Sequence, residues 1–312
     1  MFCLYRGERI GIAILCFLGL ALVALLGLGG TPIHWPAFTG GLAFYGMLAM
    51  AGLGLRVLGR FPRVSQVLFA VGILPIFATF LALVGYMFFP LQRPLVDELL
   101  FAVDASLGYD WGEMVAWLAA HPDLSAVLRI VYGSSFFQLA VLLVWLGLAG
   151  RSVALQRMVV TLMLSGVVAT AFWAIWPSFG PSAYIDIPAE TLAASQLLVT
   201  PEYGAFLMNM AEQGIDEIGG HVILGAIAFP SFHIVMAVIA VWFARGTWLA
   251  WPYAATNLLM IPATLGHGGH HLIDLAGGAA VFALCHWLST RWVTDGTDPH
   301  PLPRANPGPL PA

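Results

Sequence analysis

Two short clusters near the C-terminal end hold most of the proton-transfer and nucleophile chemistry of this chain: Pro230-Ser231-Phe232-His233 and His270-His271-Leu272-Ile273-Asp274. Each stands where an apolar run begins, so Ser231, His233, His270 and Asp274 are expected at one membrane boundary and not at mid-depth. Helical residues four apart share a face, which lets the Asp274 carboxylate accept a hydrogen bond from one ring nitrogen of His270. That bond fixes the tautomer, leaves a lone pair on the other nitrogen and stabilises the imidazolium formed when that nitrogen attacks an electrophile. His233 has no carboxylate one turn further on and is the candidate general acid for a leaving oxygen. Ser231 follows Pro230 at a helix start, where unpaired N–H groups and a hydroxyl can hold an anion. The turn carrying Gly266, Gly268 and Gly269 should bring a second set of backbone N–H groups to the same anion. His267, three residues before His270, is a further candidate ligand, and His271 should support the site from behind.

The elements that position these residues follow from composition. Of 312 residues, 60% are hydrophobic and 9% charged, and the mean hydropathy is +0.88; a soluble globular chain carries ~25% charged residues. The chain therefore reads as an all-α, polytopic membrane helix bundle. Apolar runs near 10–30, 39–57, 65–89, 125–149, 154–176, 230–245, 247–266 and 270–290 give about eight transmembrane helices at ~20 residues per span. The run at 230–245 is short and is expected to extend backwards through Val222, Ile223 and Leu224. Three parts are expected: N-terminal transmembrane helices over 1–90, a catalytic membrane core over 91–291, and a disordered, proline-rich cytoplasmic tail over 292–312.

Orientation follows from the arginines, since basic residues accumulate in short cytoplasmic loops and the chain has no lysine. With both termini cytoplasmic, Arg6, Arg9, Arg56, Arg60, Arg63, Arg151, Arg157, Arg245, Arg291 and Arg304 lie inside. Only Arg93 and Arg129 lie outside, with the two clusters, so the expected location is the plasma (inner) membrane with the site facing the periplasm or exterior. Two outer segments read as interfacial amphipathic helices. One is capped by Asp110 with Glu113 and carries Trp111, Met114, Val115 and Leu118 on one face. The other is capped by Thr200 and Pro201, carries Tyr203, Phe206, Leu207 and Met210, and ends at Gly214; it could form a lid or a lateral wall for a lipid. Cys3, Cys16 and Cys285 lack metal spacing. Trp173, Trp176, Trp242, Trp248, Trp251, Trp287 and Trp292 fit an interfacial aromatic belt.

The two clusters resemble the later motifs of the type 2 phosphatidic acid phosphatase superfamily, PSGH and SRxxxxxHxxxD, with Phe232 in place of the glycine and Ala263-Thr264 in place of Ser-Arg. The resemblance covers roughly residues 95–290. It implies that His270 attacks phosphorus, Asp274 orients it, His233 protonates the leaving group and Ser231 holds phosphate. The superfamily's KxxxxxxRP motif has no counterpart. The tract Trp176-Pro177-Ser178-Phe179-Gly180-Pro181-Ser182-Ala183-Tyr184 occupies the comparable place, making Gly180, Pro181 and Tyr184 candidate substrate contacts beside Gly268 and Gly269. A proline-rich tract with a His-His pair looks like the branch that includes inositol phosphorylceramide synthase.

Few outer cations favour a singly charged phosphodiester over a monoester dianion, which normally calls for Arg or Lys clamps, although Arg93 or Arg129 could fold into the site. The expectation is a lipid phosphotransferase or phosphatase that moves a phosphoryl or phospho-head-group to water or to a lipid or polyol hydroxyl. No metal or other cofactor and no nucleic-acid partner are expected. The competing class is a transporter or membrane scaffold. Transporters bind near the midplane with broken helices and internal repeats, and neither pattern is present in the sequence.

Overall fold

Apolar runs of about 20 residues satisfy their own backbone in an apolar surrounding as helices, and the computed structural model, which describes residues 4–220 and 225–294, is built of helices joined by irregular segments. Among the described residues the helices are α1 (Arg6–Gly27), α2 (Pro36–Val57), α3 (Pro62–Tyr86), α4 (Asp97–Ser106), α5 (Trp111–Ala120), α6 (Pro122–Gly133), α7 (Ser135–Leu148), α8 (Ser152–Ile175), α9 (Ala189–Ser195), α10 (Pro201–Gln213), α11 (Phe232–Ala244), α12 (Ala250–His267) and α13 (Leu272–Trp292). No strand forms among them, and one isolated bridge pairs Ile33 with Ile218.

Five described helices, α1, α2, α3, α8 and α13, are long and apolar enough to cross a membrane, or six if α5 and α6, bent by 117°, form one broken span. The count of eight is not reproduced. The apolar run at 125–149 is divided at Ser134 into α6 and α7, and α11 has only 13 residues. Its expected extension through Val222–Leu224 lies outside the described residues, as do Cys3 and the tail from Asp295.

Helices α8, α11 and α13 pack around a core that includes Leu142, Met158, Met163, Val235, Met236, Ile239 and Phe282. Polar side chains join the helices where water is excluded. Asn257 donates to Gln138 Oε1 at 2.7 Å and the Tyr253 hydroxyl to the Gln138 carbonyl at 2.8 Å, tying α12 to α7. The Thr161 and Ser289 hydroxyls, 2.8 Å apart, tie α8 to α13.

Most of the described arginines gather at one end of the bundle, Arg93 and Arg129 excepted. Arg151 donates to the Gly246 carbonyl, Arg157 to that of Val293 and Arg63 to that of Leu148, and Arg56 grips Glu8 with two guanidinium nitrogens. These contacts collect the starts of α1, α3 and α8 with the ends of α2, α7, α11 and α13. The start of α11, the end of α12 and the start of α13 stand at the opposite end.

Both short amphipathic helices form with the expected caps. Asp110 Oδ1 accepts from Glu113 N at 2.8 Å and Thr200 Oγ1 from Tyr203 N at 3.3 Å, while Gly214 ends α10 at φ 77°. Much of each apolar stripe, however, is covered by protein: Leu207 and Met210 of α10 are buried, although Phe206 is exposed. Trp111, Val115 and Leu118 are buried with Met260 and Ala263 of α12, and α10 sets Gly204 against the backbone of Ser182 and Ala183. Trp173 also departs from the expected belt: it is buried against Phe89 and Phe179, and its indole N–H donates to the Ser178 carbonyl at 3.1 Å. Trp176, Trp248, Trp251 and Trp287 are exposed.

Candidate active site

The turn between α12 and α13 sets His270 and Asp274 one helical turn apart, and local geometry does the rest. His270 Nδ1 lies 2.9 Å from Asp274 Oδ2. A carboxylate oxygen can only accept, so Nδ1 carries the proton and Nε2 keeps the lone pair. The same Oδ2 accepts from the His271 backbone N–H at 2.9 Å, fixing the carboxylate from a second direction. Both side chains are buried. The Ser231 hydroxyl stands 3.5 Å from His270 Nε2, and the Ser231 N–H donates to the Asp274 carbonyl at 3.0 Å. Two clusters 39 residues apart in sequence are thereby stitched together through backbone and side chain.

His233, in the first turn of α11, stacks on Tyr132 of α6 with ring centroids 3.9 Å apart and planes 20° apart. A side chain at Gly268 would begin 2.8 Å from Tyr132 Cε2 and 2.7 Å from His270 Cδ2. Gly268 therefore fills a gap between the His270 ring and the Tyr132 ring that backs His233, a space that admits no Cβ. The first turn of α11 has no side-chain cap, so its N–H groups remain available to a ligand.

The start of α13 behaves otherwise. The Leu272 N–H donates to Asp104 Oδ1 at 3.0 Å, the His271 N–H to Asp274, and the Gly268 N–H to the Thr264 carbonyl at 3.1 Å. The expected convergence of two open helix starts on one anion thus reduces to that of α11. Gly269 enters the turn at φ 59° and faces the Ser182 side chain.

The tract after α8 is brought onto this turn. Gly180, at φ 81° and ψ 173°, sits so close to the Gly269 carbonyl that a Cβ would lie 2.1 Å from its oxygen; that backbone region is open essentially to glycine alone. Pro181 is buried in the short turn that follows. The tract is held by Asp97, whose carboxylate accepts from the Ser178 hydroxyl at 2.9 Å, the Gly180 N–H at 2.7 Å and the Tyr184 hydroxyl at 3.3 Å. Burial and the Asp97 charge hold the Tyr184 phenol well above its usual range.

Sequence reasoning missed Asp97 and Asp104. Asp97, Phe101 and Asp104 lie on one face of α4, at i, i+4 and i+7, and all three meet His271. Asp104 Oδ2 is 2.6 Å from Nδ1, Asp97 Oδ1 is 3.5 Å from Nε2, and the Phe101 ring stands edge-on at 4.7 Å. Burial opposes charge on His271, but Asp97, Asp274 and Asp104 outweigh it and raise the imidazole above its ordinary value. With a carboxylate beside each nitrogen, His271 pins α4 to the site turn. The sequence signal was two acids seven apart on the otherwise apolar side of a short helix.

His267 is directed to α6: its Nε2 donates to the Ser125 carbonyl at 2.9 Å, while Nδ1 is buried without a partner. Arg93 is exposed in the segment between α3 and α4. Among the described residues no group of three or more His, Cys, Asp or Glu is arranged to hold a metal ion. Residues 98–288 match the model of a family described as the PAP2 superfamily. No curated protein and no solved structure matches significantly.

Proposed function

The chain belongs to the PAP2 superfamily, a phosphatase-type membership implying a phosphorylated lipid substrate, and from that premise we propose that it transfers a phosphoryl or phospho-head-group from a lipid through a phosphohistidine on His270. The observation that carries this reading is the buried His270–Asp274 pair at 2.9 Å, whose free Nε2 faces the Ser231 hydroxyl. The lone pair on Nε2 attacks phosphorus, the bond to the leaving oxygen breaks, and His233 supplies its proton. Water or a hydroxyl acceptor then attacks the phosphohistidine while His233 takes the acceptor's proton, and the P–N bond breaks. Asp274 stabilises the imidazolium in both steps. Ser231, the first-turn N–H groups of α11, and the turns at Gly268-Gly269 and Gly180-Pro181 with Tyr184 line the substrate phosphate, with His267 beside them.

The acceptor is a lipid or polyol hydroxyl, as in the branch resembling inositol phosphorylceramide synthase, with water as the lesser route. The poverty of cations supports this reading, because a phosphodiester brings one negative charge into a neighbourhood already holding Asp97, Asp104 and Asp274. The reaction takes place on the outer face of the plasma membrane: most of the described arginines mark the opposite end of the bundle, and basic ends stay cytoplasmic. The catalytic core is 91–291, with 1–90 anchoring it, and no metal takes part.

The test is to incubate purified protein with labelled lipid mono- and diesters, with and without hydroxyl acceptors, beside His233→Ala and His270→Ala. Label should pass from a diester to the acceptor, and an acid-labile, base-stable phosphoenzyme should form that His270→Ala lacks. An active His270→Ala variant, or loss of all activity on chelation, would overturn the mechanism; free phosphate from monoesters alone would make the enzyme a phosphatase.

A further inference from the structure

The site as built contains a phosphate anion's neighbours but no free positive charge. His271 is engaged by two carboxylates, and burying an anion without a countercharge is costly. One cation nevertheless stands on the correct side of a helix that touches the site twice. In α6, Ser125, Arg129 and Tyr132 are spaced i, i+4 and i+7 and so share a side. Ser125 receives the His267 ring N–H, and Tyr132 backs His233 and reaches the gap at Gly268.

Arg129 lies between these two anchors, and its charge is felt at the His267 ring. Its side chain is exposed and forms no hydrogen bond or ion pair with the described residues. Buried polar atoms without partners occur at the end of α12 and beside the site turn: Thr264 Oγ1, His267 Nδ1 and, against Gly269, Ser182 Oγ. A folded chain leaves such groups unpaired where something else binds.

Resting on the reading of the site as a phosphate-transfer centre, we propose that Arg129 is its phosphate-binding cation, closing a guanidinium fork over two non-bridging oxygens while His270 and His233 flank the phosphorus. A planar fork suits a phosphodiester, which presents two such oxygens and one charge. The missing basic motif is thereby replaced by one arginine delivered from a different helix, and the Thr264 hydroxyl is left as a further donor to the oxygens.

The experiment is binding of orthovanadate to the purified full-length protein, followed by tryptophan fluorescence, for wild type, Arg129→Ala, Arg129→Lys and Arg93→Ala, with thermal unfolding as the check on folding. Removing a charge-assisted fork should weaken vanadate by about 10- to 100-fold. Arg129→Lys, which keeps the charge and loses the fork, should fall between, and Arg93→Ala should bind as wild type does. Vanadate affinity of Arg129→Ala within about threefold of wild type, an equal loss in Arg93→Ala, or no binding by wild type would overturn the assignment. Labelled-lipid turnover on the same preparations separates it from the broader reading. A wild type that binds vanadate through Arg129 but turns over no lipid keeps the anion site and loses the enzyme. Lipid turnover dependent on His270 with unchanged Arg129→Ala keeps the enzyme and loses this role.

Discussion

Asp274→Asn isolates the charge behind His270 with little change of shape. Asp274 Oδ2 accepts from His270 Nδ1 and from the His271 N–H, each at 2.9 Å, and an amide oxygen in the same place can accept from both. What disappears is the negative charge facing the imidazolium that forms when Nε2 attacks. With charge centres about 4 Å apart and an effective dielectric of ~20, that attraction is ~4 kcal/mol, and each ~1.4 kcal/mol is a factor of ten in rate. The expected result is a loss of about 10³-fold in kcat, little change in KM, and a melting temperature within a few degrees of wild type. Rapid quench of a labelled lipid should show the fall in the step that forms the phosphoenzyme. A folded Asp274→Asn protein that retains more than about a tenth of wild-type kcat would refute the argument, because the carboxylate would then be holding the turn and not the developing charge. Asp274→Ala should also lose stability, since two buried donors lose their acceptor at roughly 1–3 kcal/mol each.

Gly180→Ala must place a Cβ 2.1 Å from the Gly269 carbonyl oxygen at φ 81°; overpacking and backbone strain of roughly 1–3 kcal/mol each should lower the melting temperature and the activity together. Gly108→Ala, also at positive φ but with nothing within 4 Å, should carry only the strain, and equal losses in the two variants would refute the close-packing account. His271 is raised above its ordinary value of 6.5, so its bridge to Asp97 and Asp104 stabilises the fold fully below that pH and loses its effect as pH rises through the raised value. The melting-temperature gap between wild type and Asp104→Asn should therefore be widest in acid and close with rising pH, and a pH-independent gap would count against a charged His271. His233→Ala should slow formation of the phosphoenzyme by ~10²–10⁴-fold on a natural lipid but much less on a nitrophenyl phosphodiester, whose leaving group needs no proton; equal losses in that first step on both would remove the general-acid role.

The parts of the fold and candidate site that could be read from the sequence are those decided within a few residues. The His270–Asp274 spacing, the Asp110 and Thr200 caps and the Gly214 stop depend on helix geometry alone, and each forms as the residue types require. Asp97 and Asp104 escaped notice because their meaning depends on a partner 167 residues beyond Asp104; in isolation they read as an acidic start and end to a short helix. Trp173 was misplaced for the same reason, since an indole at a span end looks interfacial until the tract after α8 folds back over it. The count of eight spans is not reproduced, in part because hydropathy averages across a break: the residues around Ser134 are apolar enough to continue, yet α6 ends there and α7 begins. Tyr132 carried no signal at all, because stacking on His233 is a property of two helices meeting.

The carboxylates at this site act as fasteners. Asp97 is saturated by donors from the Ser178–Tyr184 tract, Asp104 by His271 and the Leu272 N–H, and Asp274 Oδ2 by His270 and the His271 N–H. Together they lock α4, the tract and the start of α13 into one frame, with the His271 ring shared between two of them. A frame built from acids consumes the N–H groups at the start of α13 that would otherwise have met the substrate. On the proposed function, it leaves His270 Nε2, the Ser231 hydroxyl and the first turn of α11 as the groups turned towards the substrate. The electrostatic consequence is a site that repels a second negative charge on its ligand. Substrate discrimination in this chain should therefore be set less by the head group's shape than by whether its phosphate carries one charge or two.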